Sequence, residues 1–248
     1  MTCFEHEGMR LFYREAGGGP LLLVLHGNTA SSVCYVGEVE HFSRRFHVAS
    51  PDFPGCGLSE RIDVWPKNWW RSCADAAAAL VRHLDCGPAV YVGTSGGGIA
   101  SLLAAIHHPA TVRAVVVDSS VGAWTPEDLE GLLAARGKLS LGQIAFWQNA
   151  HGDDWHRVVD ADTEMIKLWR ETGVDFYEGH LGEITCPVLL TYSKADEMLP
   201  RVDEFNRNAA KKIPDSRVYS VEEGAHPMMW SRAEDFRRAA DEFLRGLC

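Results

Sequence analysis

Six short, largely apolar runs constrain this chain more than any other feature. Leu21-Leu22-Leu23-Val24-Leu25 is the clearest, and Phe46–Ser50, Ala89–Val92, Val112–Val117, Pro187–Tyr192 and Arg217–Val221 repeat the pattern. A strand that is apolar at every position must be covered on both faces, as in a parallel sheet between two helix layers. Amphipathic stretches near 33–44, 67–84, 97–108, 200–212 and 231–246 fall between the runs, and Ala74–Leu84 is rich in strong helix formers. Two alternating stretches within residues 3–15 read as a hairpin turning at Gly8. With that hairpin, the expected fold is α/β: a mostly parallel, eight-stranded sheet flanked by helices.

Residues 123–182 break the rhythm. They carry helical periodicity without a convincing strand, together with Trp124, Trp147, Trp155 and Trp169, and Asp128, Asp153 and Asp154 sit where helices could start. About sixty residues is too long for a plain crossover. The expected organisation is therefore a core of residues 1–122 and 183–248, with 123–182 inserted after the sixth strand as a helical lid.

Composition removes several classes of function. The 248 residues carry a net charge of −10, which argues against nucleic acid or an anionic membrane as the main partner. No apolar stretch approaches the roughly 20 residues of a membrane helix, and the N-terminus lacks a basic start with an apolar run. Seven cysteines at 3, 34, 56, 73, 86, 186 and 248 form no CxxC pair, so neither a disulfide framework nor zinc is expected. The expectation is a cytoplasmic protein, monomer or homodimer, acting on a small molecule without membrane insertion.

The chemistry concentrates at Val90-Tyr91-Val92-Gly93-Thr94-Ser95-Gly96-Gly97, where an apolar strand runs into Gly-x-Ser-x-Gly and then into a helix. The bare pattern arises easily by chance in a chain this rich in glycine. The strand before it and the helix after it make it specific. Ser95 is then a nucleophile on a strained turn, and the Gly96 N–H points at the oxyanion that develops on attack. His26-Gly27-Asn28 follows the first buried strand, where the Asn28 N–H can supply the second oxyanion donor and His26 is expected to hold the loop.

Position selects the base among eleven histidines. His226 lies in Gly224-Ala225-His226-Pro227, between the last strand and the last helix, where catalytic groups of open α/β sheets gather. His151 and its neighbours read as lid or surface residues, and the acids of His151-Gly152-Asp153-Asp154 as a helix start rather than a metal site. Asp196, just past a buried strand, is the preferred acid, with Asp118 at the end of Val115–Val117 as runner-up. The order Ser95, Asp196, His226 is that of the nucleophile-elbow hydrolases.

His26-Gly27, Asp52-x-Pro54-Gly55-x-Gly57-x-Ser59, Gly93-x-Ser95-x-Gly97, Asp196 and Gly224-x-His226 together resemble the α/β-hydrolase superfamily, in order and across most of the chain. In that family the stretch from Asp52 to Ser59 is a structural loop, which implies that Cys56 is not a catalyst. The Gly93–Ile99 segment, the compact lid and Asp196 with Pro200 are similar to the valacyclovir hydrolase (biphenyl-hydrolase-like) group. Those enzymes carry an aspartate after the nucleophile for the amino group of amino-acid esters, and Gly96 stands there instead. That departure implies an uncharged acyl group, and the resemblance implies that Gly96→Asp should raise activity on amino-acid esters.

The expected reaction is hydrolysis of a small carboxylic ester through an acyl-enzyme on Ser95, with no cofactor or metal. Trp124, Trp147 and Met228 are the main candidates for the substrate pocket, with Phe146, Trp155, Trp169, Met229 and Trp230 as further candidates. Carbon–carbon or amide hydrolysis, perhydrolysis and silent ligand binding use similar residues and stay open at this level.

Overall fold

The computed structural model describes residues 2–138 and 140–246, so Cys248 lies outside the described residues. β1 (Thr2–His6) and β2 (Met9–Gly17) form the hairpin through Glu7 and Gly8, which both take positive φ. β3 (Leu21–Leu25) follows, then α1 (Val36–Phe42), β4 (His47–Pro51), α2 (Trp69–Leu84), β5 (Ala89–Thr94), α3 (Gly96–His107) and β6 (Val112–Asp118). The strands form one eight-stranded sheet in the order β1-β2-β4-β3-β5-β6, completed by two strands from the C-terminal part of the chain. β2 pairs antiparallel with both neighbours, while β4, β3, β5 and β6 pair in parallel.

The apolar runs have the alternation that two covered faces demand. Leu21, Leu23, Leu25 and Tyr91 enter one core with α2 and α3, whereas Leu22, Val24, Val90 and Val92 enter the opposite core. α3 lies unusually close to the sheet. A Cβ on Gly93 would stand 2.2 Å from the Gly97 carbonyl oxygen, and one on Gly97 would stand 2.2 Å from that of Leu25. Only glycine lets strand and helix pass at this distance.

After β6 the chain leaves the sheet. A two-residue strand β7 (Ala123–Trp124) leads into α4 (Pro126–Arg136), α5 (Leu141–His151) and α6 (Trp155–Trp169), and β8 (Val174–Asp175) returns to pair antiparallel with β7. This small ribbon, which leaves no trace in the hydropathy pattern, joins the two ends of the helical segment. Thr125 and Asp128 form a capping box on α4. Asp154 precedes α6 but caps nothing with its side chain; it pairs with Arg61 at 2.9 Å.

The sheet is completed by β9 (Val188–Ser193) beside β6 and by β10 (Ser216–Val221) beside β9, both parallel, with α7 (Val202–Lys212) between them. A single turn α8 (Met228–Ser231) and α9 (Ala233–Arg245) end the chain. The expectation that Arg217–Val221 is buried is corrected here. β10 is the sheet edge, with no strand on its outer side among the described residues, and its residues are half-buried or exposed.

Candidate active site

Four loops leave the carboxyl ends of parallel strands and meet over the sheet. The loop after β5 is a single residue, Ser95, held at φ 52° and ψ −122° between strand and helix. Such a conformation costs a non-glycine residue about 1–3 kcal/mol. It is maintained because the Ser95 N–H donates to the Asp118 carbonyl at 2.8 Å and the Ser95 carbonyl accepts from Gly98 at 2.9 Å. The hydroxyl is thereby turned out of the sheet.

The loop after β3 passes directly against it, since a Cβ on Gly27 would lie 3.0 Å from the Ser95 Cβ. Gly96 is the first residue of α3, where N–H groups lack intrahelical acceptors. The Asn28 N–H likewise meets no acceptor among the described residues. Two uncommitted backbone donors thus flank Ser95.

The loop after β9 carries Asp196. One carboxylate oxygen accepts from the N–H groups of Met198 and Leu199 at 3.0 and 3.1 Å, and the other bonds His226 Nδ1 at 2.8 Å. The bond to Asp196 turns His226 Nε2 away from the carboxylate. Ser95 and His226 line one cavity of about 420 Å³. Among the described residues their side chains make no direct hydrogen bond, a contact that commonly tightens only with substrate bound.

Asp118, the runner-up acid, takes another place. It is fully buried and accepts from Thr191 Oγ1 (2.8 Å), Thr94 Oγ1 (3.0 Å) and the Met229 N–H (3.0 Å). Burial raises its carboxyl to about 6 despite these donors. Its neighbour Ser119 accepts from the Met228 N–H at 2.8 Å. The pair anchors the turn after His226 without touching the ring.

The cavity is mostly apolar. Trp124, Phe146, Trp147, Trp169 and Trp230 line it, as do Asn28 and Gly96. Met228 does not, which corrects that expectation. It is fully buried in the core with α9, because its N–H is drawn down onto Ser119 and the next turn presents Trp230 instead. Met229 and Trp155 also lie outside the lining, and Trp155 stacks on the far side of Trp147 with ring centroids 5.4 Å apart.

The helical segment grips the loop after β3 through side-chain bonds that sequence spacing does not foreshadow. Trp147 Nε1 donates to Thr29 Oγ1 at 3.0 Å, Ser31 Oγ donates to the Ala150 carbonyl at 2.7 Å, and Asn28 Nδ2 donates to Asp162 at 3.1 Å. His151, expected as a lid or surface residue, is buried in this contact. Its Nδ1 accepts from the Gly57 N–H, so Nε2 carries the proton and donates to the Thr29 carbonyl. His26 repeats the device, accepting from the Phe53 N–H at Nε2 and donating from Nδ1 to the Gly27 carbonyl. No local pattern joins residues so distant in the chain.

Burial holds both His26 and His151 at about 4, against an ordinary 6.5. The unfolded chain therefore binds more protons than the native one between those values, and stability falls as pH drops from about 6.5 to about 4. Each ring contributes on the order of 3 kcal/mol at the acid end. Asp118, Asp52 and Glu38, raised by burial, work the other way, but the carboxyls of Asp75, Asp128, Asp154, Asp203 and Asp235, held down by their partners, add to the decline of the two histidines. Urea unfolding at pH 7.5, 6, 5 and 4 should show this decline, and His151→Gln should flatten part of it. A stability that rose on acidification across this window would contradict the assignment.

A family model described as the alpha/beta hydrolase family matches residues 22–239. The chain belongs to this family. Its eight-stranded, mostly parallel sheet with flanking helices matches the fold of solved hydrolases. Among relatives of this hydrolase, 2-(acetamidomethylene)succinate hydrolase of Mesorhizobium japonicum is 35% identical over 54% of the chain, a match spanning 46% of that protein. Serine hydrolase BPHL of Homo sapiens is 25% identical over 96% of the chain and 84% of its own length. A thermophilic esterase from Thermogutta terrifontis has the same fold, with a TM-score of 0.78 at 22% identity, covering 99% of this chain and 97% of that one.

Position 96 separates the hydrolase from the amino-acid-ester pattern for a steric reason. A Cβ there would stand 1.9 Å from Trp70 Cη2 and 2.7 Å from Asn28 Oδ1. The space an aspartate would need is already filled, which argues against the expectation that Gly96→Asp raises activity on amino-acid esters.

Proposed function

We propose that this chain is a serine hydrolase cleaving a small, uncharged carboxylic ester through an acyl-enzyme on Ser95. The observation that carries this reading is the set of two uncommitted N–H groups, Gly96 and Asn28, beside a serine whose cavity also holds an aspartate-bonded histidine. His226 accepts the Ser95 proton as the oxygen attacks the carbonyl. The two N–H groups hold the oxyanion, each worth about 3–4 kcal/mol at comparable sites. Asp196 keeps the imidazole in the accepting tautomer and stabilises it when charged. The alcohol leaves with the proton from His226, and water repeats the sequence on the acyl-enzyme.

The helical segment 123–182 acts as the lid over the core of residues 1–122 and 183–248, with Trp124 and Trp147 in contact with substrate. The apolar walls favour an uncharged acyl group. Among the described residues six cysteines are unpaired, and no helix is long and apolar enough to cross a membrane. Unpaired thiols suit a reducing compartment such as the cytoplasm.

A fluorophosphonate should form one adduct on the peptide containing Ser95, absent in Ser95→Ala, and the wild-type protein should hydrolyse short p-nitrophenyl esters. An unlabelled Ser95 together with undiminished turnover in Ser95→Ala would overturn the reading. Labelling with no turnover of any ester would move the reaction to another bond.

A further inference from the structure

One charged side chain in the cavity wall has no part in that mechanism. Arg136, at the end of α4, is the permanently charged residue among the described cavity-lining residues, the others being apolar, uncharged polar or His226. Its guanidinium is largely buried. Nη2 donates to Asp162, whose side chain is fully buried on α6, and Nη1 donates to the Val159 carbonyl (3.4 Å) and Thr163 Oγ1 (3.3 Å). These bonds fix the plane of the fork. Among the described residues they leave the Nε–H and a second Nη2 hydrogen without a protein acceptor, in a group that forms part of the cavity wall.

Its place is defined by the same carboxylate. The second oxygen of Asp162 accepts from Asn28 Nδ2 at 3.1 Å, so the guanidinium stands one carboxylate away from the residue that supplies an oxyanion donor. An acceptor that reaches Arg136 from a substrate held at Ser95 is thus set apart from the scissile carbonyl by the span of the Asp162 carboxylate and the Asn28 side chain. Asp162 also sets the charge of that acceptor. It already neutralises Arg136, and a substrate carboxylate would bring an unbalanced negative charge into an apolar cavity, where desolvation is costly. A neutral oxygen carries no such penalty and gains a charge-assisted hydrogen bond.

We infer that Arg136 is the anchor for a second, uncharged carbonyl oxygen of the substrate, so that the preferred substrates are esters of short acids bearing an oxo, ester or amide carbonyl. This rests on the ester-hydrolase reading for its biological meaning, but not for its test, which is a binding measurement on the Ser95→Ala protein.

Cavity tryptophan fluorescence reports binding of ethyl pentanoate, ethyl 4-oxopentanoate and monoethyl succinate. Ethyl 4-oxopentanoate should bind about tenfold more tightly than ethyl pentanoate, the scale of one hydrogen bond to a charged donor, and monoethyl succinate no more tightly than ethyl pentanoate. Introducing Arg136→Met should reduce the tenfold preference to about one. Because that change leaves Asp162 without its countercharge, Arg136→Met/Asp162→Asn and Arg136→Lys should be measured beside it, and both should lose most of the preference. Equal binding of the two neutral esters, or a preference that survives in every Arg136 variant, would overturn the inference. Tightest binding by the succinate would overturn its uncharged character. Turnover of the same neutral esters by the wild-type protein reports separately on the hydrolase reading.

Discussion

Asp196→Asn should leave the protein folded and lower kcat on p-nitrophenyl esters by about 10⁴, with KM little changed. The asparagine carbonyl can still accept from Met198 and Leu199, whose N–H groups bond Asp196 Oδ1, so the loop keeps its shape. The amide then faces His226 Nδ1, where the aspartate oxygen stood. Two donors cannot share that bond, so Nδ1 loses its proton and Nε2 gains it. The ring then presents a donor toward Ser95 and cannot take the hydroxyl proton, an error that costs about 10⁴ in triads of this kind. Asp118→Asn provides the contrast. Its partners include two threonine hydroxyls that can reverse their bonds, and no bond links it to the ring. Its kcat should stay within about tenfold of wild type. If Asp118→Asn were the crippled variant and Asp196→Asn the active one, the acid would have been assigned to the wrong strand.

That both aspartates were candidates shows where sequence information ends. Each follows an apolar run at the carboxyl end of a parallel strand, and hydropathy marks both runs equally. What separates them is the side chain each oxygen meets, which depends on strands far apart in sequence. The sheet itself was readable because burial on both faces leaves a continuous apolar signature, and Leu21–Leu25 was placed to the residue. Arg217–Val221 gave a similar signature, but nothing local distinguishes a central strand from the edge that β10 occupies. Met228 was misplaced for a related reason: nearness to His226 in sequence says nothing about which side of the turn faces the cavity, and the Ser119 hydroxyl decides it. Arg136 and Asp162 lie on different helices, so their pairing leaves no periodic trace.

The same limit governs Gly96, where motif comparison and packing make opposite predictions. Gly96→Asp should lower ester hydrolysis by at least about 10² and confer no activity on amino-acid esters. The new Cβ would overlap Trp70, which is 2% exposed and packed in edge contact with Phe53 and Trp69, and would crowd the Asn28 amide oxygen. A carboxylate at the first position of α3 does gain from the helix dipole, by about 0.3–1 kcal/mol. Overpacking a closed site costs about 1–3 kcal/mol and often more, so the steric term prevails. Relief can come from a shift of Trp70 or of Asn28. A shift of Asn28 displaces one of the two oxyanion donors, and losing one such donor costs about 10² to 10³ in kcat. The decisive comparison is Gly96→Asp alone against Gly96→Asp/Trp70→Ala, assayed on p-nitrophenyl butyrate and on a valine ester. Removing the indole vacates the volume that the aspartate needs, so the double variant should recover butyrate activity over the single one and gain relative preference for the cationic ester. If the single variant alone already hydrolysed the valine ester faster than wild type, Trp70 would not be what excludes an acidic residue from position 96.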